Sequence, residues 1–473
     1  TLFRSRLSGA QPFAFGHLFA SSAGVVREME RPVDNQVVLE RAEMDGWGFG
    51  VPESVFLDEG RFVMFYHSQN HGGLARAESA DGITWGNRRR LNASLAWSLE
   101  SCILLDRYEK DPRFKWKMTA NCKSPSDSIC FHSSPDGINW VQHGAGGPIY
   151  GPHADTLPCL YHDGPGRDYR LVMRFEPPNP AHEGRGIRGA EVLGGPLDEV
   201  LRSVDRPVTW APEVLSSFVL DREAGASEMF RRQLYSLSRT LLPGGSGHLG
   251  VAQVFDFPER GKGEEWHRDL KSARELGLEE DLDSVHLYLM PSRDGVHFDP
   301  SWVYAGVRLL PSDLIRGFHF FSQAGQVLTH GGYHWLYYDR IDKHHFMRWG
   351  GATQIALARF RENRLVRVRP AGDDGGVVVT QSFVFDRHQE LTLDVLSLTD
   401  AGEVTAELLP AGSKSGKALL DLLKRRAAAK AEPLRGVNGS ARVRWPGDAV
   451  ALHGRAVHLR VRLVGVHLYG FAL

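Results

Sequence analysis

One short pattern recurs along this chain and limits what it can fold into. It reads Ser79-Ala-Asp81-Gly82-Ile-Thr-Trp85, Ser134-Pro-Asp136-Gly137-Ile-Asn-Trp140 and Ser292-Arg-Asp294-Gly295-Val-His-Phe298. A degenerate copy, Ser203-Val-Asp205-Arg206-Pro-Val-Thr-Trp210, lies between the second and third. Asp-Gly marks a tight hairpin, because glycine accepts a positive φ without a Cβ clash. The Ser and Asp side chains can bond nearby amides and pin the turn. The aromatic then falls on the following strand, where it can pack between sheets. Four copies in order imply a repeated unit.

A second landmark precedes each hairpin: a strand rich in aromatic residues. The copies are Phe62-Val-Met-Phe-Tyr66, Phe114-Lys-Trp-Lys-Met118, Tyr169-Arg-Leu-Val-Met173, Leu249-Gly-Val-Ala-Gln-Val-Phe255 and His334-Trp-Leu-Tyr-Tyr338. Further apolar runs lie upstream of several, such as Ser54-Val-Phe-Leu57 and Cys102-Ile-Leu-Leu105. A unit of strand, aromatic strand, third strand, Asp-Gly hairpin and fourth strand is a propeller blade. Five aromatic strands predict five blades. The competing reading is a string of unrelated hairpins in a β-sandwich.

The pattern changes after residue 370. Glu390-Leu-Thr-Leu-Asp-Val-Leu396, Glu403-Val-Thr-Ala-Glu-Leu-Leu409, Val457-His-Leu-Arg-Val-Arg-Leu463 and Val466-His-Leu-Tyr-Gly-Phe471 alternate polar and apolar residues without the Asp-Gly-aromatic hairpin. Such strands have one buried face. The expected fold is therefore all-β: a five-bladed β-propeller over 41–370, preceded by a lead-in segment at 1–40 and followed by a small β-sandwich at 371–473. Two helical inserts are expected, at 261–283 and at 417–430.

Composition sets outer limits. The net charge of −1 gives no reason to expect nucleic acid as a partner. No apolar run approaches the roughly 18 residues that a membrane-spanning helix needs. The four cysteines, Cys102, Cys122, Cys130 and Cys159, form no Cys-x-x-Cys pair, so no structural zinc site is expected. Their even number allows disulfides, and buried strand thiols fit equally well. The opening Thr-Leu-Phe-Arg-Ser reads like a translated sequencing adapter, which points to a metagenomic fragment with an incomplete start. Any signal peptide is then missing from view. The compartment stays open, with a secreted or periplasmic location favoured.

In the order of these signals the chain resembles bacterial glycosyl hydrolases with an invertase-like or arabinanase-like five-bladed propeller (families 32 and 43) followed by a small β-sandwich. The resemblance covers about residues 18–473. It rests on Phe62 to His67, Ser134 to Trp140, Ser292 to Phe298 and the terminal run from Val443 through Leu459 to Phe471. The chain carries neither the Asn-Asp-Pro-Asn nor the Arg-Asp-Pro motif of invertases. Its catalytic residues are therefore sought by position.

The resemblance implies a glycoside hydrolase acting on a poly- or oligosaccharide without a cofactor or metal. Such hydrolysis uses two carboxyl groups flanking the scissile bond. In propellers of this kind the acids stand where the innermost strands start, facing the axial funnel. The matching positions are Asp45, Glu100, Asp155 and Glu228, with Glu53 competing for the role of Asp45. The fifth blade offers no acid there, only Gly317-Phe-His319-Phe-Phe. Carboxylates converging on one axis repel, which raises at least one pKa and suits a general acid. Candidate sugar contacts are Trp47, His67, His153, Arg174 and His345, the last beside His344. His67 could instead hold a blade seam, and Arg174 could face a carboxylate or an acidic sugar. The hairpin acids Asp81, Asp136 and Asp294 are expected to be structural. Two other readings stay open: a polysaccharide lyase using a Tyr or His base, and a non-catalytic carbohydrate-binding propeller.

Overall fold

The three Asp-Gly turns share one hydrogen-bonding scheme. In the first, the Gly82 amide donates to Ser79 Oγ at 2.9 Å, and the Ile83 and Thr84 amides donate to Asp81 Oδ1 at 2.8 Å. Asp136 and Asp294 bind the two amides that follow their own glycines in the same way. Gly82, Gly137 and Gly295 have φ values of 74°, 73° and 70°, where a Cβ would be strained. Charge-assisted bonds from backbone amides favour the carboxylate, and they hold Asp81 and Asp136 at about 2.

The computed structural model describes residues 10–12, 19–40, 52–68, 73–91, 101–122, 128–151, 158–164, 168–177, 187–220, 232–245, 247–256, 284–344, 352–385, 390–411, 427–445 and 452–472. The described residues are mostly β, and the chain divides into two units. One comprises Pro32–Thr240 with Leu249–Arg359. The other comprises Thr1–Arg31, Leu241–His248 and Phe360–Leu473.

In the larger unit, three four-stranded antiparallel sheets follow chain order. The first contains Pro52–Asp58, Arg61–Ser68, Gly73–Ser79 and Gly86–Arg90. The second contains Ser101–Leu105, Trp116–Asn121, Ile129–Ser134 and Val141–Gln142. The third contains Cys159–His162, Tyr169–Phe175, Gly189–Gly194 and Glu213–Phe218. An eight-stranded sheet joins two further runs through one parallel pair, Val285 with Phe320. Its fourth run is Arg232–Leu241, His248–Asp256 and Ser284–Leu289. Its last run is Phe320–Gln323, Tyr333–Ile341 and Thr353–Arg361, with Leu328–His330 paired on the second of these. Asp34–Glu40, from far upstream, completes that run by pairing with Thr353–Arg361.

Apolar clusters link these runs in a cycle. Phe65 meets Trp116 between the first and second runs, and Ile129 shares a cluster with Leu171 between the second and third. Val192 and Val254 share one between the third and fourth, Phe255 and Phe320 between the fourth and last, and Leu357 and Met64 between the last and first. The turn aromatics sit in these seams, as expected. Trp85 packs on Tyr337, Trp140 on Phe65 and Phe298 on Phe218, at centroid distances of 5.8, 6.2 and 6.1 Å. Tyr337 Oη also donates to Gly82 O at 2.8 Å. The unit is of β-propeller type, built from meandering sheets packed face to face.

The first strands of three runs meet around Gly325. Its amide donates to Glu53 O, and its carbonyl accepts from Tyr161 Oη, both at 2.8 Å. The disulfide Cys102–Cys159 ties the second and third runs beside it. Cys122–Cys130 is the other disulfide, so all four cysteines are paired. Bridging a separation of 57 residues restricts the unfolded chain by roughly 4 kcal/mol in the loop-entropy picture. A Cβ on Gly325 would collide with Cys102 Sγ.

A buried charge cluster joins the second and third runs. Lys117 Nζ lies 2.8 Å from Asp106 Oδ2 and 3.1 Å from Glu109 Oε2, and donates to Phe114 O at 2.7 Å. Tyr169 Oη donates to Asp106 at 2.5 Å. Burial pushes the Asp106 carboxyl up, but the bonds from Lys117 and Tyr169 outweigh it and leave it lowered. Asp106 thus stays ionised, its oxygens satisfied by the Lys117 ammonium and the Tyr169 hydroxyl.

The smaller unit is a sandwich of two sheets. In one, Val25–Met29, Val366–Pro370, Val466–Ala472, Thr392–Ser397 and Asn438–Arg442 lie side by side, with Ala10–Pro12 against Val466–Ala472. In the other, Phe19–Ala23 borders Gly376–Thr380, followed by Arg455–Val464, Glu403–Pro410 and Ala429–Lys430. Val378, Leu393, Val404, Leu459 and Leu468 form its core. Residues 1–40, expected as a lead-in, thus divide between the units: three strands join the sandwich and Asp34–Glu40 joins the last run. The expected 261–283 helix lies outside the described residues. So does most of the 417–430 helix, although Ala429–Lys430 is a strand paired with Glu403–Pro410.

Two substitutions test this packing. Lys117→Met leaves Asp106 buried without its cation, while Glu109 keeps Arg202, and is expected to cost about 3–5 kcal/mol in denaturant unfolding. Gly325→Ala overfills the meeting point of the first strands and is expected to cost about 1–3 kcal/mol in the same measurement.

Candidate active site

Antiparallel pairing places the start of each first strand beside the end of the second. Pro52 faces Tyr66, Cys159 faces Val172 and Phe320 faces Ile341. This edge of each run is where the sequence places its candidates. Asp45, Trp47, Glu100, His153, Asp155, Glu228 and His345 lie outside the described residues. In the sequence, the four acids among them fall in the stretches 41–51, 92–100, 152–157 and 221–231, just before the first strands of four runs.

Glu53, His67 and Arg174 are described, and all three are buried. Glu53 is the second residue of the first run, at a register shift between Pro52 and Ser54, and its carbonyl holds Gly325. His67 ends the second strand of the same run, opposite Leu74. Arg174 ends the second strand of the third run and is ion-paired with Glu176. The carboxylate partner anticipated for Arg174 is therefore supplied by its own strand end. The guanidinium also lies 5.9 Å from the Tyr235 ring on the fourth run.

Tyr235 has a second cationic neighbour that sequence reading missed. The Arg188 guanidinium lies 5.8 Å from Tyr235 and 5.2 Å from Phe255. The Arg188 amide donates to Gln233 Oε1 at 3.4 Å. A short Arg-x-x-Arg stretch before the strand at Gly189 was the only local signal.

A cavity of about 420 Å³ opens at the same edge of the last run, lined by His286, Arg308, Asp313, Arg316, Phe318 and His319 among others. His286 comes from Ser284–Leu289 and stacks on Phe321 at 5.4 Å. His319 stacks on His344 at 4.0 Å. Burial, then the charges of Arg308, His319 and His344, hold the His286 pKa well below the usual imidazole range, so its ring is neutral. Among the described residues, no group of three His, Cys, Asp or Glu side chains is placed to hold a metal ion. Burial raises the pKa of the Glu191 carboxyl group. It sits on the third strand of its sheet, away from this edge.

No protein-family model matches the chain, and no curated protein matches it. Solved structures do. A thermostable family-43 glycoside hydrolase is 12% identical, covers 67% of this chain and 91% of its own, and has a TM-score of 0.42. A family-32 beta-fructofuranosidase of Bombyx mori is 10% identical, covers 94% of both chains and scores 0.38. An alpha-L-arabinofuranosidase of Podospora anserina is 9% identical, covers 69% of this chain and 96% of its own, and scores 0.42. The first two belong to the families that the sequence resemblance names.

The buried histidines make stability depend on pH. Burial, with the charge of His143, lowers His132 to about 3. Burial likewise lowers His143, which also feels Lys117, and His334, both to about 4. The unfolded chain takes up these protons near pH 6.5 and the folded chain does not. Their stabilisation is complete above about pH 6.5 and is lost as pH falls toward 4. The turn aspartates give a second loss, from about pH 3.8 toward 2. Thermal melting between pH 7.5 and 4.5 is expected to show a Tm that falls by several degrees, with a shallower slope in His334→Gln.

Proposed function

We propose that the larger unit is a five-bladed propeller that hydrolyses glycosidic bonds in a poly- or oligosaccharide, using carboxyl groups at its axial funnel. One observation carries this reading. In the sequence, acidic residues precede the first strands of four runs, and the first strands of the first, second and third runs meet around Gly325. Asp155 and Glu228 are the leading pair, with Glu100 and Asp45 beside them. One carboxylic acid protonates the departing glycosidic oxygen. The other, ionised, activates water or attacks the anomeric carbon. A shared axis supplies the repulsion that keeps one of them protonated. Trp47, His67, His153 and His345 are the proposed sugar contacts. The two disulfides fit an oxidising compartment outside the cytoplasm.

A lyase reading has one observation in its favour: Tyr235 between Arg174 and Arg188. Guanidinium groups neutralise a uronate, and a tyrosine beside them can remove the adjacent proton.

The test is a panel of aryl glycosides and plant or algal polysaccharides, with wild type compared to Asp155→Asn and Glu228→Gln. Loss of about 10²–10⁴-fold in kcat on the active substrate, with folding intact, is the expected result. Products absorbing in the ultraviolet as unsaturated sugars would replace hydrolysis with elimination. Turnover unchanged by both substitutions would remove these two residues from the site.

A further inference from the structure

The cavity beside the last run is cationic and contains an unmet donor. Arg308 and Arg316 bring two guanidinium groups, and Asp313 is the one carboxylate among its described lining residues. Asp313 is exposed at the rim, whereas Arg308 is half-buried. His286 is 3% exposed, and neither ring nitrogen has a hydrogen-bond partner among the described residues. A buried polar group without a partner is destabilising unless something that enters the cavity supplies the bond. A volume of about 420 Å³ lies within the range of small-molecule sites, about 300–1,000 Å³. A metal is a poor occupant: the two guanidinium groups repel it, and His319 is stacked on His344.

We propose that this cavity binds the anionic oxygens of an acidic sugar, either the carboxylate of a uronate or a sulfate ester. The inference rests on the carbohydrate reading above and specifies its substrate class. Guanidinium groups match such oxygens in charge and geometry. The N–H of His286 donates to an oxygen that reaches the buried end. The position is apt, because the last run lacks the acid found before the other four and carries His319 instead. An anionic substituent is thereby drawn to the one run whose start does not repel it.

The experiment is calorimetric binding to the full chain, read without turnover. The probes are an oligogalacturonide and its methyl-esterified form, and a sulfated galactan oligosaccharide and its desulfated form. Wild type is expected to bind one charged probe at least tenfold more tightly than its neutral counterpart. That probe identifies the anion as carboxylate or sulfate. Arg308→Gln is expected to erase most of this preference while leaving the neutral probe unchanged. His286→Phe is expected to do the same, and Arg308→Gln keeps the test intact if that variant misfolds. Equal affinity for charged and neutral forms, binding of none of the four, or a preference kept in Arg308→Gln would overturn the inference. A charged probe that binds but is not cleaved would sink hydrolysis and leave this site standing. Cleavage confined to neutral sugars, with no charge preference in binding, would do the reverse.

Discussion

A missing side chain lies where the larger unit's first strands meet. Gly325 donates to Glu53, accepts from Tyr161 and leaves room for the Cys102–Cys159 bridge. The Tyr161 hydroxyl also accepts the Arg239 amide at 2.8 Å, which brings in the fourth run. Burial pushes that phenol up, so it stays protonated and serves as donor on one side and acceptor on the other. One backbone bond, one covalent bridge and one phenol thus set the distance between strands that are far apart in sequence. The edges where the candidate acids are sought inherit their spacing from this small group of atoms.

Around that centre the Asp-Gly turns act outward. Each buries an aromatic against an adjacent sheet, and each keeps its aspartate busy with backbone amides. This is why three acids that look tempting in the sequence are spent on structure. The third run shows what happens without the glycine. Its copy reads Asp205-Arg206-Pro, and there Trp210 packs on Tyr150 at 6.0 Å while its amide donates to Ile149 O. The seam is kept although the turn is lost.

Much of the fold was legible because its signals are local. A hairpin needs glycine at one place and a capping oxygen three residues earlier, and both can be read within seven residues. Strands that pair across the length of the chain leave no such trace. Val25–Met29 borders Val366–Pro370 through Arg367 and Arg369, both paired with Glu28, and nothing near Glu28 announces it. The cysteines were undecided for the same reason: only the fold brings Cys102 to Cys159. Glu53, His67 and Arg174 lie next to strand ends, and that much is legible from the apolar runs they flank. The cationic cavity was not seen, because His286, Arg308, Arg316 and His319 come from separate elements and each looks ordinary where it stands. His319 was visible only as a place where an acid was lacking.

The pairing of Asp34–Glu40 with Thr353–Arg361 has a consequence for how the protein is made. Gln354 reaches back to Glu40 across a separation of 314 residues. Sheets one to three can form as they leave the ribosome, since their strands are consecutive. The last run cannot close until almost the whole unit has been synthesised. The sandwich is in the same position, because its first strands come from residues before 31 and its core from residues after 360. The growing chain therefore carries unpaired strand edges from its beginning nearly to its end, and such edges invite association with other chains. Slow, late closure favours help from a holdase during synthesis, and it makes loss of the first 40 residues costly to both units at once.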